Sequence, residues 1–269
     1  MRALVAGVLA LFCADLAIAQ SDGLRRLSDR DDLLGWEAVG RLDTAQGGFC
    51  TATLIASDLV LTAAHCVFDG MRLRQPGELT FRAGLRDGVA IAQRDVVAFA
   101  VPDAYQRQAG MSMDNVPHDV ALLRLSTPIT STDADPFILH QGAVEGSEIS
   151  VTSYAEGRAE ALSRQRSCRI VAQQPPLMAF DCNVSFGSSG APVFVSNGTR
   201  GRIVSIISGG VRLDGTLVSV GMALPDVVAG LKADLRRQGA SPSFPGVRRL
   251  GAGDGRASSG AKFVRPGGS

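Results

Sequence analysis

From Trp36 onward, apolar residues gather into short runs divided by Gly, Asp, Asn and Pro, the pattern of strands and turns. A first set covers Phe49 to Ile55, Leu59 to Thr62, Leu79 to Ala83, Val89 to Val101 and Val120 to Leu125. A second covers Glu148 to Tyr154, Cys168 to Ala172, Leu177 to Asp181, Pro192 to Val195, Ile203 to Ser208 and Leu217 to Ala223. No pair of runs is separated by the helical segment that a parallel sheet needs, so the expected fold is all-β and antiparallel, a barrel or a sandwich. Asp214 and Gly215 mark a tight hairpin between the last two runs. One helix is expected. Pro225 and Asp226 open it, Val227, Val228, Leu231 and Leu235 share one face, and Arg236 and Arg237 suit its negative end.

The two ends of the chain read differently. Arg2 precedes an apolar run from Ala3 to Ala19, and the small residues Ala17 and Ala19 stand where a signal peptidase would cut before Gln20. The rival reading, an uncleaved membrane anchor, needs a longer run. The favoured reading, residues 1–19 as a signal peptide, places the mature protein in a secreted or periplasmic compartment, with no integral membrane segment after cleavage. Residues 20–35 are rich in Asp and Arg and are expected to be a mobile leader or propeptide, with Arg25 and Arg26 either a processing site or solvated charge. Residues 239–269 are dominated by Gly, Ser, Pro and Arg and are expected to form a disordered basic tail.

Cysteine usage fits export. Without Cys13, which leaves with the signal, Cys50, Cys66, Cys168 and Cys182 remain. Three pairings are open, and Cys50 with Cys66 and Cys168 with Cys182 are favoured because each closes a loop between adjacent strands. A bridge of that loop size contributes about 3 kcal/mol. The four cysteines contain no close pair and the histidines are not grouped, so no metal site is expected, and no cofactor. With 27 basic and 26 acidic residues the net charge is +1, which supplies no field for nucleic acid.

Candidate chemistry sits in Gly187, Ser188, Ser189, Gly190, Ala191, Pro192. A serine hydroxyl needs a base and oxyanion donors before it is a nucleophile. Gly187 permits a turn that aims successive amides at one point, and Gly190 is expected to clear space for a substrate. Read alone, the stretch favours a surface loop of small residues, and what reverses that reading lies upstream. The chain holds three histidines, His65, His118 and His140. His65 follows the run ending at Thr62 and adjoins Cys66, so a disulfide would fix its imidazole as a general base. Asp119 heads the apolar run to Leu125, where an unpartnered carboxylate is costly; a hydrogen bond to one imidazole nitrogen would leave the other for the serine proton. Asp103 and Asp114 are nearby alternatives that precede no such run.

The segments Gly48 to Ile55, Leu61 to Cys66, "DVALLRL" from Asp119 and "GSSGAP" from Gly187 resemble the chymotrypsin-like serine proteases, in particular the bacterial V8-like branch that includes the glutamyl endopeptidases. The order His65, Asp119, Ser189 is that family's order, whereas α/β-hydrolases run serine, acid, histidine. The resemblance covers roughly residues 36–238. It implies two six-stranded antiparallel β-barrels, residues 36–130 and 131–238, the second followed by the helix, with the site in the cleft between them. It also implies that Ser189 attacks the scissile carbonyl, His65 shuttles the proton, Asp119 orients His65, and the amides of Gly187 and Ser189 hold the oxyanion. The partners it implies are protein or peptide substrates of a monomeric enzyme.

Specificity and activation depart from the animal trypsins. Ser188 replaces the Asp that pairs with a freshly cut N-terminus in those enzymes, as in the V8-like branch, so that switch is not expected. The substrate pocket is expected to be lined by Asn183 and its successors to Phe186, and by Ser205, Ile206, Ile207 and Ser208 with the following glycines. Asn183 is neutral where trypsins place an acid, and Ile207 falls where V8-type enzymes carry a glutamate-reading histidine; small or apolar P1 residues are therefore expected. A catalytically silent binding protein on the same scaffold, or an esterase using the same triad, are the competing functions.

Overall fold

The computed structural model describes residues 23–142, 144, 147–196, 200–213 and 215–239. Residues 1–19, expected to be a signal peptide, Asp214 and the residues beyond Gly239, expected to be a disordered tail, lie outside them. Fifteen strands and one helix follow in chain order: β1 (Arg25–Arg26), β2 (Val39–Thr44), β3 (Phe49–Ala56), β4 (Leu59–Thr62), β5 (Phe68–Asp69), β6 (Arg72–Leu73), β7 (Leu79–Ala83), β8 (Ala92–Ala100), β9 (Ala121–Leu125), β10 (Glu148–Ala155), β11 (Arg158–Gln174), β12 (Leu177–Phe180), β13 (Pro192–Val195), β14 (Arg202–Leu213), β15 (Thr216–Met222) and α1 (Pro225–Gly239). Gly239, expected in the tail, closes the helix.

The first half closes into a six-stranded antiparallel barrel, β2-β3-β4-β9-β8-β7. Alternation drives it: in β7, Leu79, Phe81 and Ala83 are buried while Thr80 and Arg82 face outward. The second half is a sheet in the order β1-β11-β10-β13-β14-β15-β12, in which β11 pairs with β12 as well as with β10. It has a core of its own, including Val151, Phe180, Val193, Val204 and Ile207. The interface between the halves is both apolar and polar. Trp36, Phe137 and Phe194 pack with ring centroids 4.6–5.7 Å apart, and the Tyr154 hydroxyl donates to the Leu85 carbonyl at 2.9 Å. Helix α1 buries Val228, Leu231 and Leu235, and no described helix is long and apolar enough to cross a membrane.

The segment expected to be a mobile leader is, from Gly23 onward, built into the fold. β1 adds to β11 with Arg25 opposite Arg164 and Arg26 opposite Ser163, and Leu27 and Leu33 are buried. Arg26 pairs with Asp87 of the first half at 2.8 Å, and Arg86 donates to the Ser28 carbonyl at 2.7 Å. Most charges of this segment face outward while Leu27 and Leu33 face in, so composition alone reads it as disordered. Both disulfides have the favoured pairing, Cys50–Cys66 and Cys168–Cys182.

Candidate active site

The register of the first barrel builds the His–Asp pair. Thr62 at the end of β4 lies opposite Ala121 at the start of β9, so the segments just beyond them meet. His65 lies in the one-turn 3-10 helix Ala64–Val67, anchored through Cys66 to Cys50 on β3. Asp119 follows the turn Val116–His118. One Asp119 oxygen accepts the His65 backbone N–H at 2.9 Å and the other lies 2.8 Å from His65 Nδ1. An ionised carboxylate only accepts, so in the neutral imidazole Nδ1 is the nitrogen that carries the proton and Nε2 the one that can accept. Ser208 Oγ donates a third hydrogen bond to the same carboxylate.

Asp119 is 3% exposed. Burial pushes its carboxyl up, but hydrogen bonds from the His65 ring, Ser208 and the His65 amide outweigh it and hold the group below the ordinary carboxylate range. It is therefore an anion at neutral pH.

Ser189 arrives from the second half, where Gly190 N–H donates to the Ile207 carbonyl at 2.7 Å and Ile207 N–H to the Ala191 carbonyl at 2.9 Å. These bonds set the residues before β13 beside β14, which carries Ser208. Thr51 of β3 ties them to the first barrel: its N–H donates to the Ser189 carbonyl at 2.9 Å and its hydroxyl to the Gly187 carbonyl at 2.9 Å.

Two further bonds fix where the amides point. The Phe186 carbonyl accepts from Glu156 N–H at 2.7 Å, and the Ser188 carbonyl from Ala191 N–H at 2.9 Å. In a planar trans peptide the N–H opposes its carbonyl, so the N–H groups of Gly187 and Ser189 are turned away from these contacts. Neither donates a hydrogen bond among the described residues. Gly187 holds φ +90°, which favours glycine.

Gly190 is required by the first barrel. At φ +77°, an added Cβ would lie 2.2 Å from Thr62 Oγ1 and 2.3 Å from the Thr51 carbonyl. Gly190→Ala is expected to cost about 2–5 kcal/mol from backbone strain and overpacking; at roughly 2–4 °C per kcal/mol this is a loss of about 10 °C in Tm, read by calorimetry.

His65, Asp119 and Ser189 all line one cleft of about 570 Å³. Val184, Ser185, Phe186, Ile207, Ser208, Gly209, Gly210 and Leu217 form its second-half wall, and Tyr105, Arg107, Gly110 and Met111 its first-half wall. Its rim is apolar: Phe186 is 85% exposed, Leu217 60% and Met111 38%. Of the expected pocket residues, Val184, Ser185, Phe186, Ile207, Ser208, Gly209 and Gly210 line the cleft, while Asn183, Ser205 and Ile206 do not. Asn183 is exposed, with its N–H on Gln165 Oε1. Ser205 and Ile206 are fully buried, and the Ser205 hydroxyl accepts from Met222 N–H at 2.9 Å. The loop carrying Tyr105 and Met111 gave no sequence signal because its residues are ordinary surface types. Cys50, His65 and Cys66 cluster closely, but both sulfurs are spent in the disulfide and do not offer the thiolate a metal needs.

An antiparallel β fold of this topology, with a bonded His–Asp pair and a serine facing one interfacial cleft, defines the class of chymotrypsin-fold, serine-type peptidases. Residues 50–206 match the trypsin-like peptidase domain, and the chain belongs to that family. The glutamyl endopeptidase of Bacillus licheniformis is 24% identical over 154 residues, 57% of this chain and 47% of that protein, so the chain spans about half the length of the curated relative it matches. Solved structures that share the fold include the following two. A Glu endopeptidase in complex with MPD superposes with TM-score 0.66 at 19% identity over 81% of this chain and 98% of that chain. Protease Anisep from Arthrobacter nicotinovorans gives 0.56 at 19% identity over 72% and 93%.

Proposed function

We propose that the chain is a secreted, monomeric serine endopeptidase that hydrolyses peptide bonds through His65, Asp119 and Ser189. The observation that carries this reading is the charged Asp119 on His65 Nδ1 in the cleft that Ser189 also lines. Ser189 Oγ attacks the scissile carbonyl as His65 Nε2 takes its proton, and the amides of Gly187 and Ser189 hold the oxyanion. Collapse breaks the C–N bond while His65 returns the proton to the leaving amine. Water then repeats the sequence on the acyl-enzyme.

The circuit of pairings from β11 through β10, β13, β14, β15 and β12 back to β11, around a separate core, supports a second barrel opposite the first. The two disulfides and the apolar Ala3 to Ala19 run support export.

The second-half wall of the cleft carries no charged side chain, Ile207 is 1% exposed, and Phe186 and Leu217 stand at the mouth. Such a wall favours small or apolar P1 side chains over glutamate, because a carboxylate against it would lose water and find no cation there, Arg107 standing on the opposite, first-half wall. Digestion of a mixed peptide library with fragments read by mass spectrometry is expected to show cleavage after Ala, Val, Leu or Phe. Cleavage confined to Glu or Asp would overturn the specificity, and no cleavage by the folded, disulfide-bonded protein would overturn the function in favour of a silent binding protein.

A further inference from the structure

A charged side chain with no carboxylate partner lies behind the Ser189 loop. Arg158 opens β11, directly after the Glu156–Gly157 turn that closes the β10–β11 hairpin. Its Nη1 donates to the Ser153 carbonyl at 2.6 Å, and its Nη2 to Ser153 Oγ at 2.9 Å and to Ser188 Oγ at 3.2 Å. Among the described residues no carboxylate pairs with it. Desolvation brings its guanidinium down to about 10, still cationic at neutral pH. Arg158 is half-buried; partly desolvating a charge among neutral hydrogen-bond partners is unfavourable, and Leu or Met would fill the same space without that penalty. Of the two residues it bonds, Ser153 belongs to its own hairpin and Ser188 is the residue just before the nucleophile.

Ser188 is 1% exposed, and its hydroxyl also accepts from Ser185 N–H at 3.3 Å while Ser188 N–H donates to the Ser185 carbonyl at 2.9 Å. Ser188 therefore closes the tight turn that presents Gly187 and Ser189. The same hairpin supplies the Glu156 N–H that grips the Phe186 carbonyl. The hairpin thus holds the turn from behind through Arg158 and the Glu156 N–H, besides the Ser188 hydroxyl's own contacts with Ser153 Oγ at 3.4 Å and the Tyr154 carbonyl at 3.5 Å.

We propose that Arg158 is a positioning residue that locks the Ser185–Ser189 turn through Ser188, so that the amides of Gly187 and Ser189 are set for an oxyanion without any newly cut N-terminus inserting beside them. This rests on the endopeptidase reading above. The animal enzymes put a carboxylate before the nucleophile and bring the cation from a cleaved terminus; here the cation is internal and permanent, and the acceptor is a hydroxyl. The charge-assisted bond does the work of the absent ion pair.

The test compares R158M, R158K, S188A and the R158M/S188A double variant in the full chain, by kcat and KM on a peptide the wild type cleaves, by Tm, and by hydrogen exchange at residues 185–189. R158M is expected to lower kcat at least 10-fold, approaching the 10²-fold of a lost oxyanion donor, with KM changed less than about 3-fold and faster exchange in the turn. R158K is expected to recover part of kcat, and the double variant to be no worse than the poorer single one, because both break the same link. Wild-type kcat and exchange in R158M, or losses that multiply in the double variant, would overturn the proposal. Should R158M not fold, S188A decides: wild-type kcat and exchange there overturn it equally. If the wild type itself neither cleaves peptides nor reacts with a serine-directed phosphonate, the endopeptidase reading fails, and exchange in the turn alone then tests the lock.

Discussion

Ser189→Ala is expected to abolish peptide cleavage, lowering kcat by about 10⁶-fold, the size of effect seen when the nucleophile of a unit that acts together is removed. Tm is expected to move little. The Ser189 hydroxyl makes no hydrogen bond among the described residues, and the backbone of Ser189 is held through its carbonyl by Thr51, a contact alanine keeps. A partly exposed side chain with no structural partner costs within about 0.5 kcal/mol to truncate. Labelling by a serine-directed phosphonate, followed by mass spectrometry of the intact protein, is expected to vanish with activity. Cleavage surviving in a purified Ser189→Ala variant would remove the nucleophile from the mechanism, whatever the rest of the cleft contains.

Most of the fold was legible because it depends on local alternation. β4, β7 and β13 fall where their apolar runs begin and end. The strands that escaped are β2, the short β5 and β6, and those whose burial depends on a neighbour. The first half of β11, from Arg158 to Ser167, is largely polar and is a strand because β10 pairs along it and β1 adds to it. β1 itself is two arginines, held by that pairing and by Leu27, whose N–H donates to the Leu162 carbonyl.

The site divides in the same way. His65, Asp119 and Ser189 each sit in a stretch whose chemistry is readable locally, but the groups that tune them come from elsewhere. Ser208 reaches Asp119 across 89 residues of chain and Arg158 reaches Ser188 across 30. Sequence drew Ser208 as a pocket wall; its hydroxyl is in fact turned onto the carboxylate. β14 also shows why the pocket was blurred. Ile203 and Ile206 belong to the core shared with the first barrel, while Val204 and Ile207 belong to the core of the second half. A strand covered on both faces has no period that singles out the residues lining a cleft.

Asp119→Asn is expected to lower kcat by about 10⁴-fold with KM nearly unchanged, through the tautomer of His65. In the wild type one carboxylate oxygen faces the His65 amide and the other faces both Nδ1 and the Ser208 hydroxyl. An asparagine keeps only one oxygen. The His65 amide can only donate, so that oxygen is drawn to it, and the NH₂ is left facing Nδ1. Nδ1 must then accept, the ring proton moves to Nε2, and the imidazole no longer takes a proton from Ser189. The Ser208 hydroxyl rotates from donor to acceptor, so the variant is expected to fold. Stability against pH gives an independent reading. A carboxyl held below its usual range contributes stability that is complete above about pH 4, the unfolded value, and is lost as pH falls through the lower folded value. The Tm of the wild type is therefore expected to drop toward that of Asp119→Asn as the solution is acidified below pH 4. A gap between the two that stays constant down to the lowest pH at which both fold would mean that Asp119 is not the buried anion this site requires, and an Asn variant with wild-type kcat would mean that His65 does not depend on it.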